Sequence, residues 1–150
     1  MDKRLRSLRQ QLRNQNLAGF LIPHSDEHQS EYTPSYAERL AWITGFKGSA
    51  GLAAVTLDGA AIFVDGRYTL QVKDQVDTKR FETLKLHQDK VEDWFFGNLK
   101  NGDVIGYDPW LHSKMWLEKL QKKLSQKDIS LKPVENNIID EIWLNGLLKV

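Results

Sequence analysis

Four consecutive residues, Asp65-Gly66-Arg67-Tyr68, combine side chains that are well suited to orienting a polar ligand. An arginine guanidinium binds a carboxylate through two parallel hydrogen bonds, and a tyrosine hydroxyl donates a hydrogen bond from an apolar ring. The same residues also suit a local ion pair between Asp65 and Arg67 that closes the turn after a strand. The residues alone leave both interpretations open.

A glycine-rich segment, Gly45-Phe46-Lys47-Gly48-Ser49-Ala50-Gly51, is the second candidate for chemistry. It lacks the Lys-Ser/Thr ending of a phosphate loop and the spacing of a dinucleotide fingerprint, and it precedes a predicted strand, whereas those motifs precede a helix. Ser49 does not stand in a Gly-x-Ser-x-Gly nucleophile motif, because Gly48 directly precedes it. The segment therefore indicates a sharp turn or a close approach of two backbones.

Metal-binding residue types are present but do not form a ligand motif. The four histidines are His24, His28, His87 and His112. No His-Glu-x-x-His pattern occurs, and the densest group, residues 24–28, follows Pro23 in a predicted loop, where hydrogen-bonding or surface roles are favoured. The absence of cysteine excludes a disulfide framework and any Cys-ligated metal, and it fits a reducing, cytoplasmic compartment.

The spacing of apolar residues predicts that helices and strands alternate along the chain. Helices are predicted near residues 5–12, 34–43, 68–76, 91–99, 115–124 and, as a short turn, 137–143, with strands near 17–22, 52–57, 60–64, 82–86, 104–107 and 129–134. Asp58-Gly59 predicts a hairpin, because this pair tolerates positive φ at both central turn positions. The pattern indicates an α/β fold with a mixed sheet flanked by helices.

Composition and charge exclude several classes of protein. The chain has 150 residues, of which 41% are hydrophobic and 27% are charged, and this length and composition predict one globular domain. Its formal net charge is +1. We expect no nucleic-acid partner and no membrane partner, because the charge is near zero and no window approaches 18 uninterrupted apolar residues. Two basic stretches, residues 3–13 and 114–132, leave a free-standing binding module as an alternative.

Six ordered segments together resemble a known family. They are His28-Gln29-Ser30-Glu31-Tyr32, Arg39, Thr44-Gly45-Phe46-Lys47-Gly48-Ser49-Ala50-Gly51, Asp65-Gly66-Arg67-Tyr68, Asp108-Pro109 and Asn137-Ile138-Ile139-Asp140-Glu141-Ile142-Trp143. The chain resembles the N-terminal domain of aminopeptidase P, the Xaa-Pro aminopeptidase of the creatinase and prolidase superfamily, in its long three-domain cytosolic form. The resemblance covers nearly the whole chain.

The resemblance implies a creatinase/prolidase N-terminal domain with a ribonuclease H-like motif and a six-stranded mixed sheet. Residues 1–150 would form this single domain, and a catalytic domain with two divalent metals, usually manganese, would lie further along a longer chain. That enzyme would remove an N-terminal residue preceding proline. The family's metal ligands, two Asp, one His and two Glu, match no motif in residues 1–150, so we expect this chain to hold no metal or other cofactor and to be inactive alone.

The resemblance also implies that the domain shapes the substrate cleft and supports a homodimer. Its partners would be the downstream domains of the same polypeptide, a peptide with proline at the second position and a second copy of the enzyme. The residues expected to line or support the cleft are His28, Tyr32, Arg39, Phe46, Arg67 and Tyr68. Alternatives are the N-domain of a prolidase-like dipeptidase or of a creatinase-like amidinohydrolase, and the free-standing binding module.

Overall fold

The computed structural model of the chain describes residues 2–24, 39–48 and 51–148. The helices in these ranges are α1 (Asp2–Asn14), α2 (Arg39–Thr44), α3 (Thr69–Gln75), α4 (Val91–Asn98), α5 (Lys114–Leu124) and α6 (Ile138–Leu148). The strands are β1 (Gly19–Pro23), β2 (Gly51–Thr56), β3 (Ala60–Val64), β4 (Glu82–Lys85), β5 (Val104–Tyr107) and β6 (Ser130–Pro133). Short 3-10 turns precede α3 and follow α5.

The six strands form one sheet in the order β4-β3-β2-β1-β5-β6. Strand β2 is antiparallel to both of its neighbours, and every other neighbouring pair is parallel. At the centre of the sheet, Gly19 lies opposite Thr56 of β2 on one side and Ile105 of β5 on the other. The predicted mixed sheet is confirmed.

The central strands are buried on both faces because successive side chains point to opposite sides of the sheet. In β1, Phe20 and Ile22 join the apolar cluster under α1, α2, α3 and α6, while Leu21 joins the cluster under α4 and α5. Helices therefore cover both faces, as the uninterrupted apolar run of β1 predicted.

Helix α1 packs on the first face through the apolar stripe predicted from its sequence. Leu5, Leu8 and Leu12 are at most 1% exposed. On another face of the helix, Arg9 donates from Nε to the Thr56 carbonyl at 2.9 Å and from Nη2 to the Gly59 carbonyl at 3.0 Å. The helix is thus anchored both to the core and to the hairpin between β2 and β3.

Two local predictions differ in detail from the structure, and a third is described only in part. The hairpin is confirmed, but the expected positive φ at Asp58 and Gly59 is wrong. The Thr56 Oγ1 atom accepts the Gly59 N–H at 2.9 Å, and this side-chain bond closes the turn with ordinary φ values. Helix α6 has eleven residues instead of a short turn. In the predicted helix at 34–43, the structure describes α2 from Arg39 onward, and residues 34–38 lie outside the described residues.

Both outer strands of the sheet are covered by side chains of the same chain. At β6, the side-chain amide of Gln121, which belongs to α5, donates to the Ile129 carbonyl just before the strand at 3.2 Å. The same amide accepts the N–H of Leu131 in the strand at 2.7 Å. In β4 the Lys85 N–H donates to the Asp89 carboxylate at 2.9 Å. Since alternate residues of an outer strand point their backbone groups away from the sheet, these bonds occupy groups that another strand would need.

None of the helices in the described ranges is both long enough and apolar enough to cross a bilayer.

Candidate functional site

The motif segments gather at one edge of the sheet, which we call the carboxyl edge. Strands β1, β3, β4, β5 and β6 run in the same direction, so their carboxyl ends lie at this edge, and the antiparallel strand β2 begins there. The segments at the carboxyl edge are Phe46 to Gly48 before β2, Asp65 to Tyr68 after β3, His87 after β4 and Asp108 to Ser113 after β5. Ligands of α/β sheets commonly bind at such an edge.

The Asp65 carboxylate closes the turn after β3. It accepts the Arg67 backbone N–H at 3.0 Å and the Arg67 Nε–H at 3.3 Å. The backbone hydrogen bond from Arg67, aided by the bond and charge of its guanidinium, lowers the pKa of Asp65 below its usual 3.8, and desolvation opposes this shift. The local ion pair considered from the sequence is therefore present.

The ion pair leaves the Arg67 side chain accessible to a ligand, because that side chain is 70% exposed. Its guanidinium lies 5.3 Å from the centre of the Tyr68 ring, within the range of a cation–π contact. Asp65 and Tyr68 thus fix the guanidinium from two sides, and it can still donate hydrogen bonds to a carboxylate or a carbonyl oxygen. The two interpretations of the motif are compatible in this geometry.

Phe46 supports Tyr68 from below. The fully buried Phe46 ring meets the Tyr68 ring edge to face, with 5.4 Å between the ring centres. Thr44 holds the segment: its Oγ1 donates to the Leu40 carbonyl at 2.7 Å and accepts the Phe46 N–H at 3.0 Å. A Cβ atom at Gly48 would overlap the Phe46 ring, so this glycine is required by close packing.

Arg39 is buried at a different contact. Its guanidinium donates from Nε and Nη2 to the two carboxylate oxygens of Asp140, at 2.8 and 2.9 Å, and so joins α2 to α6. The Arg39 side chain is 8% exposed and that of Asp140 is 46% exposed. Of the predicted site residues, the structure brings Phe46, Arg67 and Tyr68 together, places Arg39 against α6, and leaves His28 and Tyr32 outside the described residues.

The sequence did not assign a role to the loop after β5. Asp108 is buried there and accepts hydrogen bonds from the Trp110 N–H and from the Asn137 side-chain amide, both at 3.0 Å. Asn137 in turn accepts the Ile139 N–H at 2.9 Å in the first turn of α6. Asp108-Pro109 and Asn137 were noted as family segments, but only the fold shows that these two segments are bonded to each other.

The same loop contributes His112 to a surface cavity of about 310 Å³. The imidazole stacks on Trp116, with 5.0 Å between the ring centres, and the ring of Tyr107 meets it edge-on. Burial of the imidazole lowers the pKa of His112 from its usual 6.5 to about 4, although the Asp108 charge acts in the opposite direction.

The described residues provide no donor set for a metal ion. In residues 2–24, 39–48 and 51–148, no three His, Asp or Glu side chains come close enough together to bind one. The two-metal site implied for the parent enzyme therefore does not fit this part of the chain.

Comparison with known proteins identifies the family. The sequence profile of the creatinase/prolidase N-terminal domain matches residues 4–142. The chain belongs to this family. Creatinase/prolidase N-terminal domains therefore provide the reference for its fold, and they include domains attached to catalytic regions that this chain does not cover.

Among curated relatives of this creatinase/prolidase domain, Xaa-Pro aminopeptidase 2 of Rattus norvegicus is 36% identical over 140 residues, which are 93% of this chain and 21% of that protein. The chain thus spans about one fifth of the length of such relatives. A crystal structure of X-prolyl aminopeptidase from Caenorhabditis elegans, described as a cytosolic enzyme with a di-nuclear active site, aligns with a TM-score of 0.88 at 30% identity, over 95% of this chain and 25% of that one.

A second solved structure matches this creatinase/prolidase domain over nearly the full length of both chains. The N-terminal domain of the cytoplasmic peptidase PepQ from Mycobacterium tuberculosis aligns with a TM-score of 0.70 at 22% identity, over 93% of this chain and 98% of that one. At this identity the likeness concerns the fold alone.

Proposed function

We propose that this chain is the non-catalytic N-terminal domain of an Xaa-Pro aminopeptidase, whose parent enzyme removes the N-terminal residue of a peptide with proline at the second position. The observation that carries the proposal is the likeness to X-prolyl aminopeptidases over 93–95% of the chain, at 36% identity in sequence and a TM-score of 0.88 in structure. The chain accounts for 21–25% of the length of those proteins, so the catalytic part belongs to another region of the polypeptide.

In this proposal the domain shapes the substrate cleft through the carboxyl edge. Arg67 is the residue that contacts the peptide, because its side chain is 70% exposed while two neighbours hold its guanidinium in place. Tyr68 and the buried Phe46 are positioning residues for it. Arg39 positions α2 through Asp140, and His28 and Tyr32 belong to the proposed set by their place in the family segments.

The metal, the assembly and the compartment are part of the same proposal. The parent catalytic domain would hold two divalent metals, which we propose to be manganese, in line with the di-nuclear site described for the Caenorhabditis elegans enzyme. We propose a homodimer for the parent enzyme and a cytoplasmic location, the latter supported by the cytosolic description of that relative and by the lack of cysteine.

The decisive experiment expresses the polypeptide encoded by the reading frame that contains these 150 codons. We expect it to release the first residue from a tripeptide with proline at position two and not from a matched tripeptide with alanine there. We expect the 150-residue chain alone to be inactive on both. Chelation should abolish the activity, and manganese should restore it more fully than zinc or cobalt.

The same assay separates the alternatives. Cleavage restricted to dipeptides ending in proline would indicate a prolidase-like enzyme, and hydrolysis of an amidino substrate would indicate a creatinase-like one. A stop codon directly after Val150 would reject the proposal in favour of a free-standing module.

A further inference from the structure

Two large apolar side chains next to the carboxyl edge are exposed, one in the loop after β5 and one in the first turn of α5. Trp110 is 72% exposed and Met115 is 67% exposed. Between them, Leu111 is 5% exposed, and His112 stacks on Trp116. Tryptophan and methionine are enriched at the cores of protein interfaces, and exposed tryptophan is rare on surfaces that stay in water.

The backbone that carries Trp110 is held in one position. The Trp110 N–H donates to the Asp108 carboxylate at 3.0 Å, and the Leu111 N–H donates to the Asp108 carbonyl at 3.1 Å. The other oxygen of the Asp108 carboxylate accepts the Asn137 amide at 3.0 Å, in a contact where both residues are 8% exposed. A partner that binds Trp110 therefore pays little entropy to order the loop.

Leu111 and Trp116, the residues that directly follow Trp110 and Met115 in the chain, line a surface cavity. It has a volume of about 310 Å³ and is lined mainly by apolar and aromatic side chains, including Leu52, Leu86, Leu111 and Trp116. This volume suits one or two apolar side chains of a partner. Tryptophan side chains and apolar pockets are both enriched at the centre of interfaces, where a few residues carry most of the binding energy.

The size of the surface indicates the kind of partner. A buried tryptophan removes roughly 150–250 Å² from water. Together with one methionine and the cavity this remains below the ~800 Å² per partner that a stable complex of separate molecules buries. A covalently linked partner needs less area, because the linker supplies a high effective concentration. The relatives are about four times as long as this chain, which matches 21–25% of their length.

We infer that Trp110, Met115 and the adjoining cavity, together called the Trp110 surface, are the contact through which this domain docks onto a following domain of its own polypeptide. The inference rests on the proposed function, because it requires a longer polypeptide. It assigns Trp110, in the loop after β5, a role separate from that of Arg67, which lies after β3, although the adjoining cavity extends across β1 and β2 to Leu86 after β4.

The test measures the solvent exposure of Trp110 in two proteins, this 150-residue chain and the longer polypeptide that contains it. Both are labelled with 5-fluorotryptophan, and Trp110→Phe identifies the resonance. We expect the Trp110 fluorine signal to show a solvent isotope shift in H₂O against D₂O in the short chain and to lose most of it in the longer polypeptide. A Trp110 signal that stays equally exposed in the longer polypeptide would overturn the inference.

A pair of substitutions adds an energetic readout. In the longer polypeptide, Trp110→Ser should separate the unfolding of this domain from that of the remainder, giving two thermal transitions in place of one. Leu70→Ser is the matched control, because Leu70 is 79% exposed and lies in α3, outside the Trp110 surface. In the 150-residue chain both substitutions should leave the melting temperature nearly unchanged, which shows that Trp110→Ser folds.

The remaining outcomes also decide between models. Protection of Trp110 that grows with the concentration of the short chain, together with a dimer in sedimentation velocity, would replace the linked domain with a second copy. Peptidase activity is measured on the same samples. An active longer enzyme with an exposed Trp110 would reject the docking surface and retain the proposed function, whereas a protected Trp110 without peptidase activity would reject the function alone.

Discussion

The Arg39 guanidinium and the Asp140 carboxylate share two parallel hydrogen bonds of 2.8 and 2.9 Å, although 101 residues separate them in sequence. The contact joins the start of α2, which leads into the Phe46 segment, to the first turn of α6. Because Arg39 is almost fully buried, the Asp140 carboxylate compensates its charge.

Asp140→Asn should therefore destabilise the domain. The substitution keeps the shape of the side chain but removes the charge that compensates a buried guanidinium. Since the Asp140 side chain is 46% exposed and water screens part of the interaction, we expect a loss of about 1–3 kcal/mol in the free energy of unfolding. Urea denaturation measures this change in the free energy of unfolding. Glu141→Gln, on the next residue of the same helix, is the control, and an equal loss there would rule out a specific role for the pair.

Arg67→Ala should separate activity from stability. In the longer polypeptide we expect kcat/KM for a proline-containing peptide to fall about 10- to 100-fold, the usual effect of losing one charge-assisted hydrogen bond to substrate. The melting temperature should hardly change, because the side chain is 70% exposed. Arg80→Ala is the control. It removes a comparable surface ion pair, between Arg80 and Asp77 in the segment before β4, and should leave kcat/KM unchanged. A large drop in melting temperature for Arg67→Ala would instead assign Arg67 a structural role.

Two glycine substitutions should have opposite effects. Gly48→Ala forces a methyl group into the Phe46 ring and should cost about 1–3 kcal/mol, because a packed core yields little to added volume. Gly66→Ala meets no atom within 4 Å and requires no unusual φ, so it should be neutral or stabilise the fold by up to about 1 kcal/mol. Chemical denaturation of both variants tests the packing, and equal stabilities would show that the Phe46 segment adapts freely.

Stability should fall as the pH is lowered from 6.5 to 4, because of His112. In the folded protein burial keeps the imidazole neutral, with a pKa of about 4, whereas the unfolded chain binds the proton near the usual 6.5. Between these values the unfolded state holds more protons, so the stabilisation is complete above pH 6.5 and is lost on acidification, up to about 3 kcal/mol.

His112→Phe provides the matched comparison for this pH dependence. Phenylalanine retains an aromatic ring against Trp116 but cannot titrate, so its free energy of unfolding should depend less on pH between 4 and 6.5. Asp65 contributes little in this window, because its pKa is lowered from 3.8, so most of its stabilising contribution is lost below pH 4. Identical slopes for the two proteins would contradict the assignment to His112.

Local patterns were sufficient to predict most elements of the fold. The spacing of Leu5, Leu8 and Leu12 predicted α1, and the apolar run before Pro23 predicted a strand covered on both faces. These patterns work because each element buries its own apolar residues with a characteristic period. Asp58-Gly59 predicted the hairpin for the same local reason, although the Thr56 hydroxyl provides a different way to close the turn.

Contacts between distant segments were not predictable in this way. Nothing near Arg39 in the sequence indicates Asp140, and nothing near Asp108 indicates Asn137, because these pairs form only when the sheet brings β5, α2 and α6 together. Helix α6 also continues past the predicted short turn at 137–143, through Gly146 to Leu148. For the candidate site, the motif identified the Arg67 turn, and the fold was needed to place Phe46 beneath Tyr68.

The covered outer strands have a consequence for the protein during its synthesis. Gln121 occupies backbone groups at the free side of β6, where Pro133 has no N–H to offer, and Asp89 does the same at β4. An extended segment of another nascent chain therefore meets no continuous row of free backbone groups at either end of the sheet. If the chain is part of a longer polypeptide, this protection of both sheet edges reduces the risk that the domain pairs with another chain while the remainder is still being translated.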